Sequence, residues 1–352
     1  MPDPLPLLDS VAAERAVRRL DRLTKPPGSL GRLERLAVEL AAIQGEALPR
    51  VAPPAMLVFA ADHGVAVEGV SAFPQSVTAQ MVANFATGGA AINVFARQHG
   101  ARLEVIDVGV ATPLPEALVG HPRLVNERIR AGTANLLEGD AMGRDEGLAA
   151  MAAGVRGAER AAAAGCRSLI VGEMGIANTT ASSALLAALT GKPVAGLVGP
   201  GTGIDAERLA HKQAVIERAL AARRPDPADP LDALAKVGGL EIAAMAGALL
   251  GGARQRLPLI VDGFIATVAA LVACRLRPGL RDFLIFGHRS REPGHDLALR
   301  ALDARPLIDF ELRLGEGTGA ALAFPLLDSA CRLLAEMATF DDAGIDAARV
   351  DG

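Results

Sequence analysis

Residues 55–64 read AMLVFAADHG, and this stretch decides the expected fold. An unbroken apolar run ends at once in Asp62, His63 and Gly64. A strand without polar alternation is buried on both faces, as strands of a parallel sheet covered by helices are. The stretch therefore predicts a central parallel strand that ends in a polar turn.

Six further runs of the same kind follow along the chain. They cover 103–110, 167–175, 193–203, 258–264, 282–290 and 307–317. Most are separated by enough residues for a helix, which is typical of a doubly wound α/β fold with a mostly parallel sheet. Before residue 55 the pattern is helical, with a break at Pro26 and Pro27.

Composition excludes several classes of protein. The 352 residues carry a formal net charge of −4, so the basic surface of a nucleic-acid-binding protein is missing. Three cysteines without CxxC spacing argue against disulfides or structural zinc and favour a reducing cytosol. The N-terminus lacks the pattern of a signal peptide, and apolar stretches are interrupted before about 18 residues, so no membrane span is expected.

Acidic residues follow most of the predicted strands. In an open parallel sheet, ligands bind beyond the carboxyl ends of the strands. We therefore expect one site at this edge of the sheet. The five acidic residues are Asp62, Asp107, Glu173, Asp262 and Glu316.

The segment GPGTGIDAERLAHK (199–212) predicts a phosphate-binding loop. Its glycines, including Gly201 and Gly203, precede a helix whose N-terminal N–H groups suit an anion. Lys212 adds a counter-charge if the fold brings it back to the loop. The alternative is a tight turn that needs glycine for steric reasons. A P-loop lysine is missing, which disfavours ATP-type binding.

The segment GEMGIANTT (172–180) is a second junction between a strand and a helix. Gly175 opens the turn, and the side chains that follow offer donors; they are Asn178, Thr179 and Thr180. Glu173 adds a negative acceptor, so the segment suits a ribose phosphate. The alternative is simple capping of the following helix.

The segment LGEGTG (314–319) has glycines in a spacing that resembles a dinucleotide fingerprint, but Glu316 argues against a phosphate. A carboxylate about 4 Å from a phosphate charge costs roughly 4 kcal/mol at an effective dielectric of 20. The second strand that the fingerprint requires is also missing. Glu316 is better interpreted as a general base, with a solvated surface glutamate as the alternative.

Two segments give weaker signals. GHRSREPGH (287–295) holds two histidines and a glutamate, but the spacing matches no standard zinc pattern, so a hydrogen-bonded turn is favoured. SAFPQSVTAQM (71–81) offers an apolar wall with a few polar contacts, for which the candidates are Ser71, Phe73 and Gln80.

Taken together, these motifs resemble the nicotinate-nucleotide–dimethylbenzimidazole phosphoribosyltransferase family, whose members make the lower-ligand nucleotide of cobalamin. The similar segments run in order from residue 23 to residue 323. They are LTKPPGSLGRLE, ADHGV, GVSAFPQSVTAQM, GEMGIANTT, VGPGTGID, DGFI, GHRSREPGH and LGEGTGAALA. Several such motifs together are specific, whereas alternating glycines alone are not.

The resemblance implies a Rossmann-like α/β catalytic domain over 55–324. It implies a small helical domain built from both chain ends, 1–54 with 325–352. It also implies a cytoplasmic homodimer that needs no metal or organic cofactor. The implied substrates are nicotinate mononucleotide and a benzimidazole-type base, and the products are nicotinate and α-ribazole 5′-phosphate.

The resemblance also implies roles for single residues. Glu316 becomes the catalytic base and Glu173 lies near the ribose or the base. The two loops at 172–180 and 199–203, with Lys212, surround the phosphate. The GVSAFPQ segment and Leu314 line the benzimidazole pocket, and Asp262 joins the substrate-binding set. Arg291 departs from the small residue that is usual in the family.

Two other function classes stay open at this point. A regulatory or salvage protein would hold a ribose phosphate without any chemistry. A dinucleotide-dependent oxidoreductase would bind NAD(H), although the missing second fingerprint strand weighs against it.

Overall fold

The centre of the molecule is a single six-stranded sheet. The computed structural model describes residues 4–199, 201, 203 and 205–346. All strand pairs are parallel, in the order β3-β2-β1-β4-β5-β6. The strands are β1 (Pro54–Ala61), β2 (Arg102–Gly109), β3 (Leu124–Asn126), β4 (Ser168–Met174), β5 (Leu259–Val261) and β6 (Leu284–Phe286). This confirms the predicted doubly wound α/β fold, with the strand order of a Rossmann sheet.

Helices cover both faces of the sheet. Within the described residues they are α1 (Ser10–Leu20), α2 (Arg32–Gln44), α3 (Ser76–Thr87), α4 (Ala91–His99), α5 (Arg144–Ala163), α6 (Asn178–Thr190), α7 (Ala206–Arg223), α8 (Pro230–Val237), α9 (Leu240–Arg254), α10 (Phe264–Leu276), α11 (His295–Ala301), α12 (Thr318–Glu336) and α13 (Phe340–Ala343). Short 3-10 helices lie at Gly64–Glu68, Glu116–Leu118 and Pro278–Phe283.

The continuous apolar run of β1 is explained by cores on both sides of the sheet. Leu57 and Phe59 belong to the core shared with α5, α9 and α10. Met56 and Val58 belong to the core shared with α2, α4 and α12. Successive side chains of a strand point to opposite faces, so a strand covered on both faces needs an apolar residue at every position.

The α5–α9 pair shows why this chain is rich in small residues. A Cβ on Gly154 of α5 would collide with the backbone of Ala244, and a Cβ on Gly247 of α9 would collide with the backbone of Met151. The two helices therefore touch backbone to backbone. Such close packing fixes the distance of this layer from the sheet.

Helices from the two ends of the chain pack together. α1, α2 and α12 contact one another, and Leu23 forms an antiparallel bridge with Thr339. α12 runs without a break through the predicted domain boundary at 324/325, and Phe324 shares a core with the sheet. The division into 1–54 with 325–352 and 55–324 stays a prediction. Residues 1–3 and 347–352 of that division lie outside the described part.

Two of the seven predicted strands are wrong, and one strand was missed. The described part of 193–203 forms turns, because its glycines and Pro193 do not suit a ladder. The run 307–317 makes only one isolated parallel bridge, between His288 and Ile308. Its charged residues alternate with apolar ones, whereas a doubly buried strand is apolar throughout. β3 lies at the edge of the sheet and is only partly buried, so it has no continuous apolar run, whereas the equally short β5 and β6 are fully buried.

One helix has the length and composition of a membrane span. It is α12, and by composition alone it is the one candidate within the described ranges. In the folded molecule 56% of its apolar window is buried. Core helices of globular proteins pass the same test, so this feature is weak evidence for a span.

Candidate active site

A cavity of about 450 Å³ opens beyond the carboxyl ends of β4, β5 and β6. Its walls come from the turn after each of these strands, from the segment 313–316 and from α3 with the turn before it. This is the edge of the sheet where the sequence predicts a ligand site.

The structure brings many of the predicted site residues together. Those that line the cavity are Phe73, Glu173, Gly175, Asn178, Thr179, Gly201, Asp262, Leu314 and Glu316. Lys212 does not line it but contacts Thr179, which does.

Four other predicted residues lie outside the lining. Gln80 is exposed on α3, and Ser71 is half-buried and accepts a hydrogen bond from the backbone of Phe73. Thr180 is buried in α6, and Gly203 is an exposed turn residue.

Only three of the five strand-end acids converge on the cavity. The carboxylate of Asp62 accepts the N–H of Ala111 at 2.8 Å, and that of Asp107 accepts the N–H groups of Gly109 and Val110. These two acids fix turns after β1 and β2. The expectation that all five mark one site is therefore wrong for this pair, whereas Glu173, Asp262 and Glu316 line the cavity.

Glu316 is held in an unusual backbone conformation. Gly315, Glu316 and Gly317 have φ angles of 87°, 63° and 87°, and α12 begins at Thr318. A glutamate in the left-handed region is strained, and such strain concentrates at functional sites. The side chain is 5% exposed, and its Oε2 accepts the N–H of Ile92 at 3.3 Å. Burial, with a further contribution from the charge of Asp262, raises the pKa of Glu316.

Glu173 is a strongly perturbed acid of the cavity. Burial, together with the charges of Glu241 and Asp262, raises the pKa of Glu173 to about 8. Asn178 donates a hydrogen bond to it. At neutral pH this carboxyl group is therefore mostly protonated in the empty site, and it can donate a hydrogen bond as well as accept one.

Asp262 joins the cavity to the start of α12. Its Oδ1 accepts the N–H of Ala320 at 2.8 Å, and Nε2 of His288 lies 3.5 Å from the same oxygen. A carboxylate at a helix N-terminus satisfies free N–H groups and favours the helix dipole. Asp262 thereby helps to fix the helix that follows Glu316.

One corner of the cavity is rich in cationic and donor groups. The ammonium group of Lys212 donates to Oγ1 of Thr179 at 2.8 Å and to the carbonyl of Gly199 at 3.3 Å. Lys212 is 1% exposed, and burial lowers its pKa to about 8. Nη1 of Arg313 donates to the carbonyl of Gly201 at 2.9 Å. The N-terminus of α6 faces the same corner.

Sequence analysis missed Arg313 and did not assign a role to Glu292. Arg313 directly precedes Leu314, so its place at the cavity was available from the same motif. Glu292 was considered only as a partner of the two histidines in a metal site. It lines the cavity instead, where the charges of Lys212 and Arg313 act on it.

His295 stabilises the turn of the 287–295 segment, whereas His288 lines the cavity beside Asp262. Nδ1 of His295 accepts the N–H of Ser290 at 2.8 Å, and Nε2 lies 3.0 Å from Oγ1 of Thr267. Burial lowers the pKa of His295 to about 3, so the ring is neutral. Across the described residues, no group of three or more His, Cys, Asp or Glu is arranged to hold a metal ion.

A second cavity of about 370 Å³ lies away from the strand ends, between α2, β6 and the segment 303–307. Arginines line it, but they donate to backbone carbonyls: Arg32 to Pro306 at 2.6 Å and Arg281 to Leu302 at 2.6 Å. None of the predicted site residues lies there.

Comparison with known proteins agrees with the fold and with the motifs. A family model described as "Phosphoribosyltransferase" matches residues 5–345. A nicotinate-nucleotide–dimethylbenzimidazole phosphoribosyltransferase from Azotobacter vinelandii is 58% identical, over 97% of this chain and 97% of its own length. One of the same name from Pseudomonas aeruginosa is 55% identical, over 96% and 95%.

A solved structure of the phosphoribosyltransferase of that name from Thermus thermophilus superimposes with a TM-score of 0.90 at 50% identity. The match covers 97% of this chain and all of that one. The chain therefore belongs to the nicotinate-nucleotide–dimethylbenzimidazole phosphoribosyltransferase family.

Proposed function

We propose that this enzyme transfers phosphoribose from nicotinate mononucleotide to 5,6-dimethylbenzimidazole, giving nicotinate and α-ribazole 5′-phosphate. The names of its relatives support this reaction. The observation that carries it is the division of one cavity into a donor-rich corner and an apolar end next to a buried carboxylate. Such a cavity fits a nucleotide and a flat, uncharged base side by side.

The apolar end suits the benzimidazole ring. Phe73, Val77 and Met81 line it from one side, and Leu314 lines it next to Glu316. Phe73 and Leu314 are 51% and 59% exposed in the empty cavity, so a bound aromatic ring would cover apolar surface there. Ser71 and Gln80 remain expected contacts of this base from the family resemblance alone.

Glu316 is the proposed general base. A neutral benzimidazole has one lone-pair nitrogen and one N–H. When the lone pair attacks C1′, the ring becomes cationic, and transfer of the N–H proton to Glu316 relieves that charge. The raised pKa makes Glu316 a stronger base than an exposed glutamate. A positioned base of this kind contributes about 10²- to 10⁴-fold.

The donor-rich corner is the proposed phosphate site. The N-terminus of α6, Thr179 and the charges of Lys212 and Arg313 favour an anion there. Gly175, Asn178 and Thr180 belong to the same junction, and Gly201 and Gly203 to the loop opposite. With the phosphate in this corner and the base near Glu316, C1′ of the ribose would lie between them.

The leaving group needs no general acid. Nicotinate departs from a ring nitrogen that is already cationic in the substrate, so it leaves neutral at that nitrogen. The transition state resembles an oxocarbenium ion, which Asp262 and an ionised Glu173 would stabilise. A cationic ring beside Glu173 would lower the pKa of Glu173 and favour that ionised form. Attack opposite to the leaving base inverts C1′.

One assay tests this function. The enzyme is incubated with nicotinate mononucleotide and dimethylbenzimidazole, and nicotinate and α-ribazole phosphate are measured by chromatography. Stoichiometric appearance of both products is expected. Binding of the nucleotide without nicotinate release would favour the regulatory class, and binding of NAD(H) with hydride transfer would favour the oxidoreductase. A homodimer and a cytoplasmic location stay predictions from the resemblance.

A further inference from the structure

Glu292 lies in the corner where the phosphate is proposed to bind. It is 7% exposed and lines the cavity. The backbone N–H of Gly201 donates to its carboxylate, while its Oε2 is buried and has no hydrogen-bond partner among the residues that the structure describes. A buried carboxylate oxygen without a partner is costly, so its position at this site calls for an explanation.

The charges around Glu292 provide that explanation. Burial raises the pKa of Glu292, whereas the charges of Lys212 from α7 and of Arg313 from the segment 307–317 oppose that rise and favour its ionised form. In return, Glu292 favours the protonated form of Lys212. Before any ligand binds, this corner therefore already contains a buried carboxyl group that the charges of Lys212 and Arg313 act on.

The position of Glu292 also links the surrounding segments. It accepts the N–H of Gly201, while the carbonyl of Gly201 accepts from Arg313. A Cβ on Gly199 would collide with Oε2 of Glu292, so Gly199 packs directly on this carboxylate. The backbone nitrogen of Glu292 donates to Oγ of Ser290 at 3.3 Å. Glu292 thus contacts Gly199 and Gly201 directly and is connected to Arg313 through Gly201.

We propose that Glu292 is an internal counter-anion, which substitutes for the substrate phosphate before the nucleotide binds and competes with it during binding. This inference rests on the proposed phosphate site. It makes Glu292 a specificity-determining residue: a free phosphate ion has to overcome the carboxylate, whereas a nucleotide adds contacts through its ribose and base. The enzyme would thereby resist occupation by inorganic phosphate.

A different role predicts the opposite sign. If Oε2 of Glu292 accepted a hydrogen bond from a ribose hydroxyl, removal of its charge would weaken nucleotide binding and leave inorganic phosphate unaffected. The two roles are therefore separated by the direction of the change and by the ligand that shows it.

The test compares wild type with Glu292→Gln by titration calorimetry, using inorganic phosphate, nicotinate mononucleotide and nicotinate riboside. We expect inorganic phosphate to bind about tenfold more tightly to the variant, the ratio that about 1.4 kcal/mol gives. Nicotinate riboside, which has no phosphate, should bind equally to both proteins. The empty variant should also melt at a lower temperature and gain more from added phosphate than wild type does.

The matched control is Glu311→Gln. Glu311 is exposed in the neighbouring segment and does not line this cavity. Its phosphate affinity should equal that of wild type. If Glu292→Gln does not fold, Glu292→Ser removes the same charge and should give the same gain in phosphate affinity.

Unchanged or weaker phosphate binding in the charge-removing variant would overturn the inference. That outcome is distinct from failure of the proposed function, which would appear as wild-type enzyme that releases no nicotinate in the presence of both substrates. Phosphate binding can be compared in either case.

Discussion

Gly315 lies directly against the carboxylate of Glu173, so that a Cβ on Gly315 would collide with Oε1 of Glu173. Gly315 also has a φ of 87°, which alanine adopts only with strain. Gly315→Ala should therefore displace Glu173 or the loop of Glu316. We expect a loss of about 1–3 kcal/mol in stability and at least about tenfold in turnover. Urea unfolding and steady-state kinetics measure both effects.

The control for that variant is Gly279→Ala. A Cβ on Gly279 meets open space, and its backbone is not left-handed. This variant should keep both activity and stability. Full activity in Gly315→Ala would mean that the close approach to Glu173 has no catalytic importance.

Glu316→Gln tests the proposed base. Glutamine keeps the size of the side chain but cannot accept a proton at neutral pH. Turnover should fall about 10²- to 10⁴-fold. The affinity for nicotinate mononucleotide, measured by calorimetry, should stay within about twofold because the substitution leaves the donor-rich corner unaltered. Near wild-type turnover would remove Glu316 from the role of base.

Asp262→Asn tests the influence of Asp262 on Glu316. The charge of Asp262 contributes to the raised pKa of Glu316, so its removal should lower that pKa. A base works only when ionised, and activity is lost as the pH falls through its pKa. The acid limb of kcat/KM should therefore move to lower pH. Asparagine can still accept the N–H of Ala320, so α12 should stay in place.

The comparison for this pH profile is Asp107→Asn, which removes a buried charge outside the cavity. Its acid limb should coincide with that of wild type. An acid limb that does not move in Asp262→Asn would mean that Asp262 is neutral or does not act on Glu316.

Glu173 should make the enzyme less stable as the pH rises. Its pKa is about 8 in the folded protein against an ordinary value of 4.5, so the folded state binds the proton more tightly than the unfolded state. The stabilisation is complete below about pH 4.5 and is lost as the pH rises towards 8. The slope for one proton is at most about 1.4 kcal/mol per pH unit.

Glu173→Gln removes this titration. The free energy of unfolding of the variant, relative to wild type, should therefore increase between pH 5 and pH 8, as measured by urea denaturation in matched buffers. A difference that is constant over this range would show that Glu173 titrates near its ordinary value.

Lys212→Ala should weaken nucleotide binding about ten- to a hundredfold, the range for loss of one charge-assisted contact. Binding of nicotinate riboside should change far less. Lys192→Ala, at an exposed position, serves as control. An unchanged affinity for nicotinate mononucleotide would remove Lys212 from the phosphate site.

The fold could be predicted from local patterns because a strand buried on both faces is apolar at nearly every position, and such a run is visible in the sequence. β1 and β4 carry continuous apolar residues and were identified, whereas the segment 307–317 combines apolar and charged residues and was wrongly predicted as a strand. β3 is a partly buried strand at the edge of the sheet, so it has no continuous apolar run. Whether a strand is covered on both faces depends on the helices and strands that pack around it. A single sequence does not show these neighbours.

The site could be predicted where one residue type conflicts with its surroundings. Glu316 between glycines is such a conflict, and the structure places it in the cavity. Asp62 and Asp107 follow strands in the same way, but their partners are backbone N–H groups of nearby turns. The relationship between Glu292, Lys212 and Arg313 joins three distant segments, so only the tertiary structure reveals it.

α12 begins two residues after Glu316, and its other end is attached to the first helix, where the side chain of Arg19 donates to the carbonyl of Leu334 at 2.5 Å. Loosening of the terminal helices would therefore be transmitted along α12 to Glu316. Affinity tags, limited proteolysis or truncation near either terminus should alter catalysis before they unfold the sheet. Assay preparations of this enzyme are best made with both ends intact.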